Sequence, residues 1–517
     1  MPIVLAAAIF LMSIRAAQGQ TAPPWLDWFQ GAQSQLQRGD LPGARQRFDE
    51  LWGVYPRDVT LAFSIASALD SSGHHREATA WYVRSLKINP RFPRAYNNLG
   101  LNYASLGDFQ RAIRALQKAT DLDPKNARAF YNLGLIHLQS RHFEQAAQAF
   151  GHAHELNPGD SDPLTRLAYA SFRCGKRREG LRAVEELLRL PGDRKQSTVT
   201  AVKLLNEAGL YKEALAHSRD AEASGAASGL LLCEEGSSLF HLADYPQAVA
   251  ILRKSGPPSG GSLDYYLLLG SAEALSGDLP SAVNTLQTAV HIAPGRPEPY
   301  YRLGLVFLEG YRDQDARQVV SSGLKILPNS PLLLFALGAV DGISGNERKA
   351  VEYLQRSLSI RPQQPEAWEL LGDLDLRLGR PGQAGEAYRK AIGLGSPPET
   401  TVKYADLLLR LREYSEAERL LRQLLKRDSR LGIAYASLGK LLDAKKEYKQ
   451  ADEALRHAIQ LDPDNPQAHL FLAEALQHLG EPEQAEQERA LAAKKKEEPR
   501  ESTRLLRRVL VPAGSED

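Results

Sequence analysis

The chain has 517 residues, 43% of them hydrophobic and 24% charged, with a formal charge of +2. That balance points neither to nucleic acid nor to a strongly acidic partner. Two cysteines in this length are too few for a disulfide framework, and so long a chain would ordinarily be divided into several domains.

The N-terminus opens on an apolar run, residues 3–14, followed by Ala17-Gln18-Gly19. An apolar stretch of this length ahead of a small-x-small site reads as a signal peptide spanning 1–19, although no Lys or Arg precedes it. It is too short to span a bilayer. The expectation is therefore export to the periplasm or secretion with cleavage after Gly19, a linker at 20–24, and a cytoplasmic location as the alternative. Removing residues 1–19, whose one charged side chain is Arg15, leaves a formal charge of +1.

From residue 25 onward the sequence repeats. Ala44, Ala78, Ala112, Ala146, Gly180, Ala214, Ala248, Ala282, Ala316, Ala350, Ala384, Ala417, Ala451 and Ala485 follow one another at steps of 34 residues, with one step of 33. A second small-residue ladder lies twelve residues earlier in each unit and is broken only by Val202. With the first ladder at position 20 and the second at position 8, fourteen units fill residues 25 to 499. A tandem array of this period is a solenoid signature and needs no single globular core. Position 15 is glycine in nine units, which suits the left-handed residue closing a helix, and position 32 is proline in eight, which stops the next helix. Each unit is thus two short helices, exemplified by Ala129 to Leu138 and Glu144 to Leu156. Positions 8 and 20 are expected to face each other where the two helices cross.

The array divides by regularity. Units 1–6 occupy 25–228 and units 7–14 occupy 229–499. Loops rich in Gly, Ser and Pro at 219–230 and 254–263 are expected hinges that shorten the second helices of units 6 and 7. Cys174 and Cys233 fall in units 5 and 7, too far apart for a disulfide, and read as small buried hydrophobes without an assigned redox role. His137, His142, His152 and His154 cluster in unit 4 without the spacing of a metal site, so no metal or cofactor is expected. The basic stretch 500–517 carries Leu505, Leu506, Val509 and Leu510, a cap for the last unit or a peripheral membrane contact.

The residues Ala-Phe-Tyr-Asn-Leu-Gly at 129–134, Ala146, and Leu-Asn-Pro at 156–158 resemble the tetratricopeptide repeat, and the resemblance extends over about nine tenths of the chain. It implies an all-α fold, a right-handed superhelical solenoid of about fourteen helix-turn-helix repeats, whose first helices line a concave groove through positions 2, 5, 6, 9, 12 and 13. In units 3 to 5 these positions carry Arg94, Asn97, Asn98, Arg128, Tyr131, Asn132, Arg166, Tyr169 and Arg173. The peptide-binding set expected there is Arg94, Asn98, Arg128, Tyr131, Asn132, Arg166, Tyr169 and Arg173. Asn98 and Asn132, both at position 6, form an amide ladder for an extended backbone, while the arginines offer forks for carboxylates. Of the residues by which family members clamp a C-terminal carboxylate, only Asn132 and Arg166 have counterparts, so that clamp is not expected. Farther along, Asp264, Glu298, Tyr301, Arg302, Glu366, Glu369, Asp373, Arg377, Lys403 and Asp406 give a groove of mixed charge, read as a solvated face with a second partner segment as the alternative.

The sequence lacks a phosphate loop, a nucleophile elbow, a zinc helix and a Cys-x-x-Cys pair. The reading that follows is an exported, non-enzymatic scaffold holding protein or peptide segments in its groove. Analogy with large exported arrays of the resembled family suggests an envelope or polysaccharide-export assembly. Two alternatives stand beside it: an accessory arm of an enzyme such as a glycosyltransferase whose catalytic part is another chain, and a cytoplasmic adaptor.

Overall fold

The computed structural model describes residues 23–258 and 261–494, so the leader and the basic C-terminal stretch lie outside the described residues. Among the described residues there are 28 helices and no strand, and the helices fall into fourteen consecutive pairs. Repeat 3 pairs Pro93–Ser105 with Phe109–Leu122, and repeat 4 pairs Ala127–Gln139 with Phe143–Leu156.

The turn inside each repeat follows from two adjacent residues. Gly107 has φ +80°, its N–H donates to the Ala104 carbonyl at 2.9 Å, and the Asp108 N–H reaches back to the Tyr103 carbonyl at 2.9 Å. That pair of bonds closes the first helix, and the Asp108 carboxylate then caps the second by accepting from the Arg111 N–H at 3.0 Å. All nine position-15 glycines have φ between 72° and 91°. The five units without glycine adopt the same conformation, with Arg141, Ala243, Tyr311, Arg412 and Lys446 at φ 58° to 66°. The turn geometry is therefore dictated by the pairing of the helices and holds even where the side chain opposes it.

The thirteen ladder alanines are all 0% exposed. A Cβ built on Gly100 would lie 2.6 Å from Leu116, on Gly134 2.7 Å from the Phe150 ring, and on Gly372 2.7 Å from the Tyr388 ring. Each of these partners stands at position 24. The crossing is thus a knob at 24 over a hole at 8, with position 20 presenting its backbone: the Ala112 carbonyl oxygen lies 3.1 Å from the same point above Gly100. Positions 8 and 20 thus face each other as expected, through the backbone of position 20, while the hole itself is filled from position 24. Alanine spacing alone cannot show which larger residue fills the hole.

The same geometry accounts for the two breaks in the ladders. Val202 fills the hole of repeat 6 with its own side chain, and position 24 there is Ser218; both are fully buried. Gly180 leaves room for Phe172, whose ring would come within 2.4 Å of a Cβ at that site. The second helix of repeat 7 is shortened to Tyr245–Ser255, 11 residues, whereas that of repeat 6, Tyr211–Ala223, keeps 13 against the usual 14. The expected shortening thus holds clearly for repeat 7 alone, because Ala221 and Ala226 stay buried at the end of repeat 6 and anchor its helix. Cys174 and Cys233 are only half-buried, not fully buried as expected; Cys174 falls just past the end of the helix Ser161–Arg173.

The chain separates into two compact units, one ending at Glu234 and the other beginning at Glu235, within the helix Gly229–His241. Inside each unit, first helices of several successive repeats pack directly on one another, while no second helix packs comparably on the next second helix. The rank that crowds lies on the inner side of a bend, so the first helices line the concave face of each unit.

The knob-and-hole account makes unequal costs for two glycines. Gly107→Ala meets no neighbour within 4 Å and should cost only its left-handed backbone, about 1 kcal/mol. Gly134→Ala must displace Phe150 and should cost about 1–3 kcal/mol, with partial recovery when Phe150→Leu is added. Hydrogen exchange resolved by repeat is the appropriate measurement, since a long array need not unfold in one step.

Candidate functional site

The eight expected groove residues all lie on the first helices of repeats 3, 4 and 5, but they divide into two kinds. Arg94, Arg128, Arg166 and Arg173 are exposed; Asn98, Tyr131 and Tyr169 are half-buried; Asn132 is buried at 7%.

The amides are not a free ladder. Asn132 Nδ2 donates to Asn97 Oδ1 at 2.9 Å, Asn97 Nδ2 to Asn98 Oδ1 at 3.0 Å, and Asn98 Nδ2 to the Tyr82 hydroxyl at 3.4 Å. The line continues to Asp70, which accepts from the Tyr82 hydroxyl at 3.4 Å and from Asn102 Nδ2 at 2.7 Å, and pairs with His75 at 2.8 Å. Burial and the Asp70 carboxylate push the Tyr82 hydroxyl well above the ordinary tyrosine range, so it stays protonated. The network stitches repeats 2, 3 and 4 together. Asp70, Tyr82 and Asn102 escaped the sequence reading because a family groove position says where a side chain starts and not which neighbour it reaches. A polar Asp70 at position 12, where Leu36 and Leu138 stand in repeats 1 and 4, was the available signal.

A pattern connects several of these contacts. In repeats 4, 7, 9, 12 and 13 a polar side chain at position 6 bonds position 5, 9 or 12 of the preceding first helix, whereas Asn98 reaches Tyr82 on a second helix and Thr200 bonds the Gln196 carbonyl of its own helix. Arg302 donates to the Leu267 carbonyl at 3.2 Å and to the Ser271 hydroxyl. Lys403 bridges Glu369 at 2.8 Å and Asp373 at 2.7 Å, and Ser437 donates to Asp406 at 3.1 Å. In repeat 7, Glu234 accepts from Asn206 at 3.0 Å. Burial works against the Lys403 charge, but Asp373 and Glu369 outweigh it and hold its pKa above the ordinary lysine value. Burial pulls the Arg302 pKa down, opposed by Glu298 and Asp264. Much of the mixed charge in the second unit, expected to be a solvated face, is therefore used between repeats.

Arg166 also lies outside this pattern. It occupies position 6 of repeat 5, and positions 5, 9 and 12 of repeat 4 are Tyr131, Leu135 and Leu138, whose side chains offer no carboxylate or amide acceptor. Among the described residues neither Arg166 nor Arg128 makes a hydrogen bond, ion pair or ring contact. Arg94 lies 5.9 Å from the Phe63 ring and Arg173 5.3 Å from the Phe143 ring. The one carboxylate at groove positions of repeats 3 to 5 is the exposed Asp162. The result is a local excess of cations beside half-buried aromatic and aliphatic surface, a combination suited to a carboxylate-bearing ligand.

The histidines of repeat 4 diverge. His154 is buried and bonded to Glu186 at 2.9 Å, His152 is exposed beside Glu155, and His137 and His142 have ring centres 5.8 Å apart. No group of His, Cys, Asp and Glu among the described residues is arranged to hold a metal ion. No described helix is long and apolar enough to cross a membrane. His137 Nδ1 is buried without a hydrogen-bond partner, and burial, with the charge of His142, pushes the ring below the ordinary histidine value of 6.5. The folded state thus keeps His137 neutral while the unfolded chain takes up a proton. The stabilisation is fully present above about pH 6.5 and is lost progressively as pH falls below it. The protection of repeat 4 against hydrogen exchange, relative to the intrinsic exchange rate at each pH, should fall between about pH 7.5 and 5.5, and His137→Leu should flatten that fall.

Comparison with known proteins places this geometry in a family. A model described as "TPR repeat" matches residues 101–140, and models described as "Tetratricopeptide repeat" match 127–160, 344–397, 403–466 and 443–506. No curated protein gives a significant match. Among solved structures, the APC/C hetero-tetramer Cut9-Hcn1 aligns over 93% of this chain and 95% of that chain, at 16% identity and TM-score 0.38. Naa15/Naa10 bound to HypK-THB aligns over 94% and 96%, at 15% identity and TM-score 0.34. The MamA protein aligns over 32% and 89%, at 21% identity and TM-score 0.29. Alignments this loose say nothing about what the chain binds. The family matches over 101–160, 344–397 and 403–506, together with the paired helices, make the chain a tetratricopeptide repeat protein.

Proposed function

We propose that this tetratricopeptide repeat protein is an exported, non-enzymatic scaffold that holds a protein segment on the concave face of repeats 3 to 5. Repeat arrays of this kind build protein-binding surfaces by stacking, and a general scaffold role follows from the family. The finer reading rests on one observation: where several polar groove residues of this array are tied to a neighbouring repeat, Arg128 and Arg166 are exposed and unpaired, with Arg94 and Arg173 beside them. Unpaired exposed cations next to aromatic side chains favour recognition of a partner over stability of the fold, since surface charges contribute little to folding.

Export is supported by the apolar run at 3–14 and the small residues at 17–19. An envelope or polysaccharide-export setting is the proposed context. The absence of catalytic motifs from the sequence supports a non-enzymatic role.

Two measurements test this reading. N-terminal sequencing of the natural protein should begin near Gln20, and a start at Met1 would remove export from the account. In affinity capture from the native source, Arg94→Glu with Arg128→Glu should reduce recovery of the principal partner about tenfold, the scale of one lost charge-assisted bond. Because both side chains are exposed, helical content should stay unchanged; equal recovery would place the binding surface elsewhere.

A further inference from the structure

The chain contains an internal control for its own groove. Repeat 4 carries Tyr131, Leu135 and Leu138 at positions 5, 9 and 12, and repeat 9 carries the same three residue types at the same positions, Tyr301, Leu305 and Leu308. In repeat 9 they are 6%, 3% and 4% exposed. There the next first helix, Pro331–Ile343, packs directly on the helix that bears them, Pro297–Glu309. In repeat 4 the same triad is only half-buried. The next first helix, Ser161–Arg173, packs instead on the second helix of repeat 4, Phe143–Leu156, and barely touches Ala127–Gln139.

The cause lies in the second helix of repeat 4. Ala146, Ala147, Ala149 and Ala153 give it a thin surface, and Ala170 of repeat 5 joins Ala146, Ala147 and Phe150 in one apolar cluster. Small residues let two helix axes approach closely, so repeat 5 is drawn toward the outer rank and away from the inner one. The first helix of repeat 5 thus does not close over the triad, which packs on the cluster of Ala146, Ala147, Phe150 and Ala170 and stays half-buried, so the inner side of this junction is left open to a ligand. Arg166 stands at the same junction without an acceptor on the preceding first helix.

We infer that this opening is a specific recognition site for an extended protein segment carrying an aliphatic or aromatic side chain next to a carboxylate. The apolar side chain takes the place that repeat 10's first helix takes over the triad in repeat 9, against Tyr131, Leu135 and Leu138. The carboxylate pairs with Arg166, supported by Arg128. An apolar strip alone would not name its occupant. The unpaired arginines do, by charge complementarity: a basic or neutral segment would leave Arg166 beside apolar surface without an anion, and a purely acidic one would leave the strip open to water. The inference rests on the groove reading above and narrows it to one junction and one ligand chemistry.

The test uses the full-length chain and a phage-displayed library of random linear peptides. Selection should enrich Asp or Glu adjacent to Leu, Ile, Phe or Trp. A synthetic copy of the enriched peptide, followed by fluorescence anisotropy, should bind at least about tenfold more weakly to Arg166→Glu, the loss expected for a charge-assisted pair. It should also weaken on Leu135→Gln. Binding should be unchanged by Glu366→Ala with Glu399→Ala, which alters exposed groove residues of the second unit. Arg166 is exposed, so that variant tests the site even if Leu135→Gln disturbs packing. Enriched peptides without a carboxylate, or an affinity that ignores Arg166→Glu, would overturn the inference. If such peptides instead lose affinity on Arg94→Glu, the wider groove reading survives and the junction does not; a library that yields no binder counts against both.

Discussion

Everything in this protein depends on a side chain at position 24 seating over a small residue at position 8. The contact fixes how closely the two helices of a repeat cross, and through that the angle at which the next repeat is received. Overpacking such a crossing costs about 1–3 kcal/mol, comparable to a large fraction of what one repeat contributes, so the hole cannot be filled without a matching loss on the knob. Repeat 6 demonstrates the exchange within the natural sequence, with Val202 in the hole and Ser218 as the knob. The left-handed turn residues obey the same constraint, since Arg141, Tyr311 and Lys446 accept a conformation that glycine would adopt more easily.

Once the crossing is fixed, the inner faces of successive first helices come within side-chain reach, and polar residues there are held by their neighbours. The amide line through Asn97, Asn98 and Asn132 and the ionic bridge at Lys403 are two chemistries for one task. Functional potential is then found by looking for the place where the task is left undone. Net charge hides that place: a chain balanced at +2 contains a junction with arginines and one carboxylate. Local asymmetry, and not total charge, carries the electrostatic signal here.

The repeat period, the paired helices and the turn glycines were legible in the sequence because each is a local requirement repeated fourteen times. The positions that the family resemblance singled out lie on the first helices. What sequence could not supply was the partner of each small residue. Positions 8 and 20 look coupled in the alignment of units, yet the atom over Gly134 belongs to Phe150. In the same way Asn98 and Asn132 looked like free amides, and their bonds to Tyr82 and Asn97 depend on a crossing angle that no single unit encodes. The opening between repeats 4 and 5 was illegible for a related reason. Tyr131, Leu135 and Leu138 are the same residues as Tyr301, Leu305 and Leu308, and their different exposure is decided by alanines on another helix.

That contrast gives the most direct measurement. Hydroxyl-radical footprinting of the intact chain, read residue by residue, compares two tyrosines and two pairs of leucines that share a sequence context. The account predicts faster oxidation of Tyr131, Leu135 and Leu138 than of Tyr301, Leu305 and Leu308. Equal rates for the two sets would mean that the inner rank closes over repeat 4 as it does over repeat 9, and would contradict it.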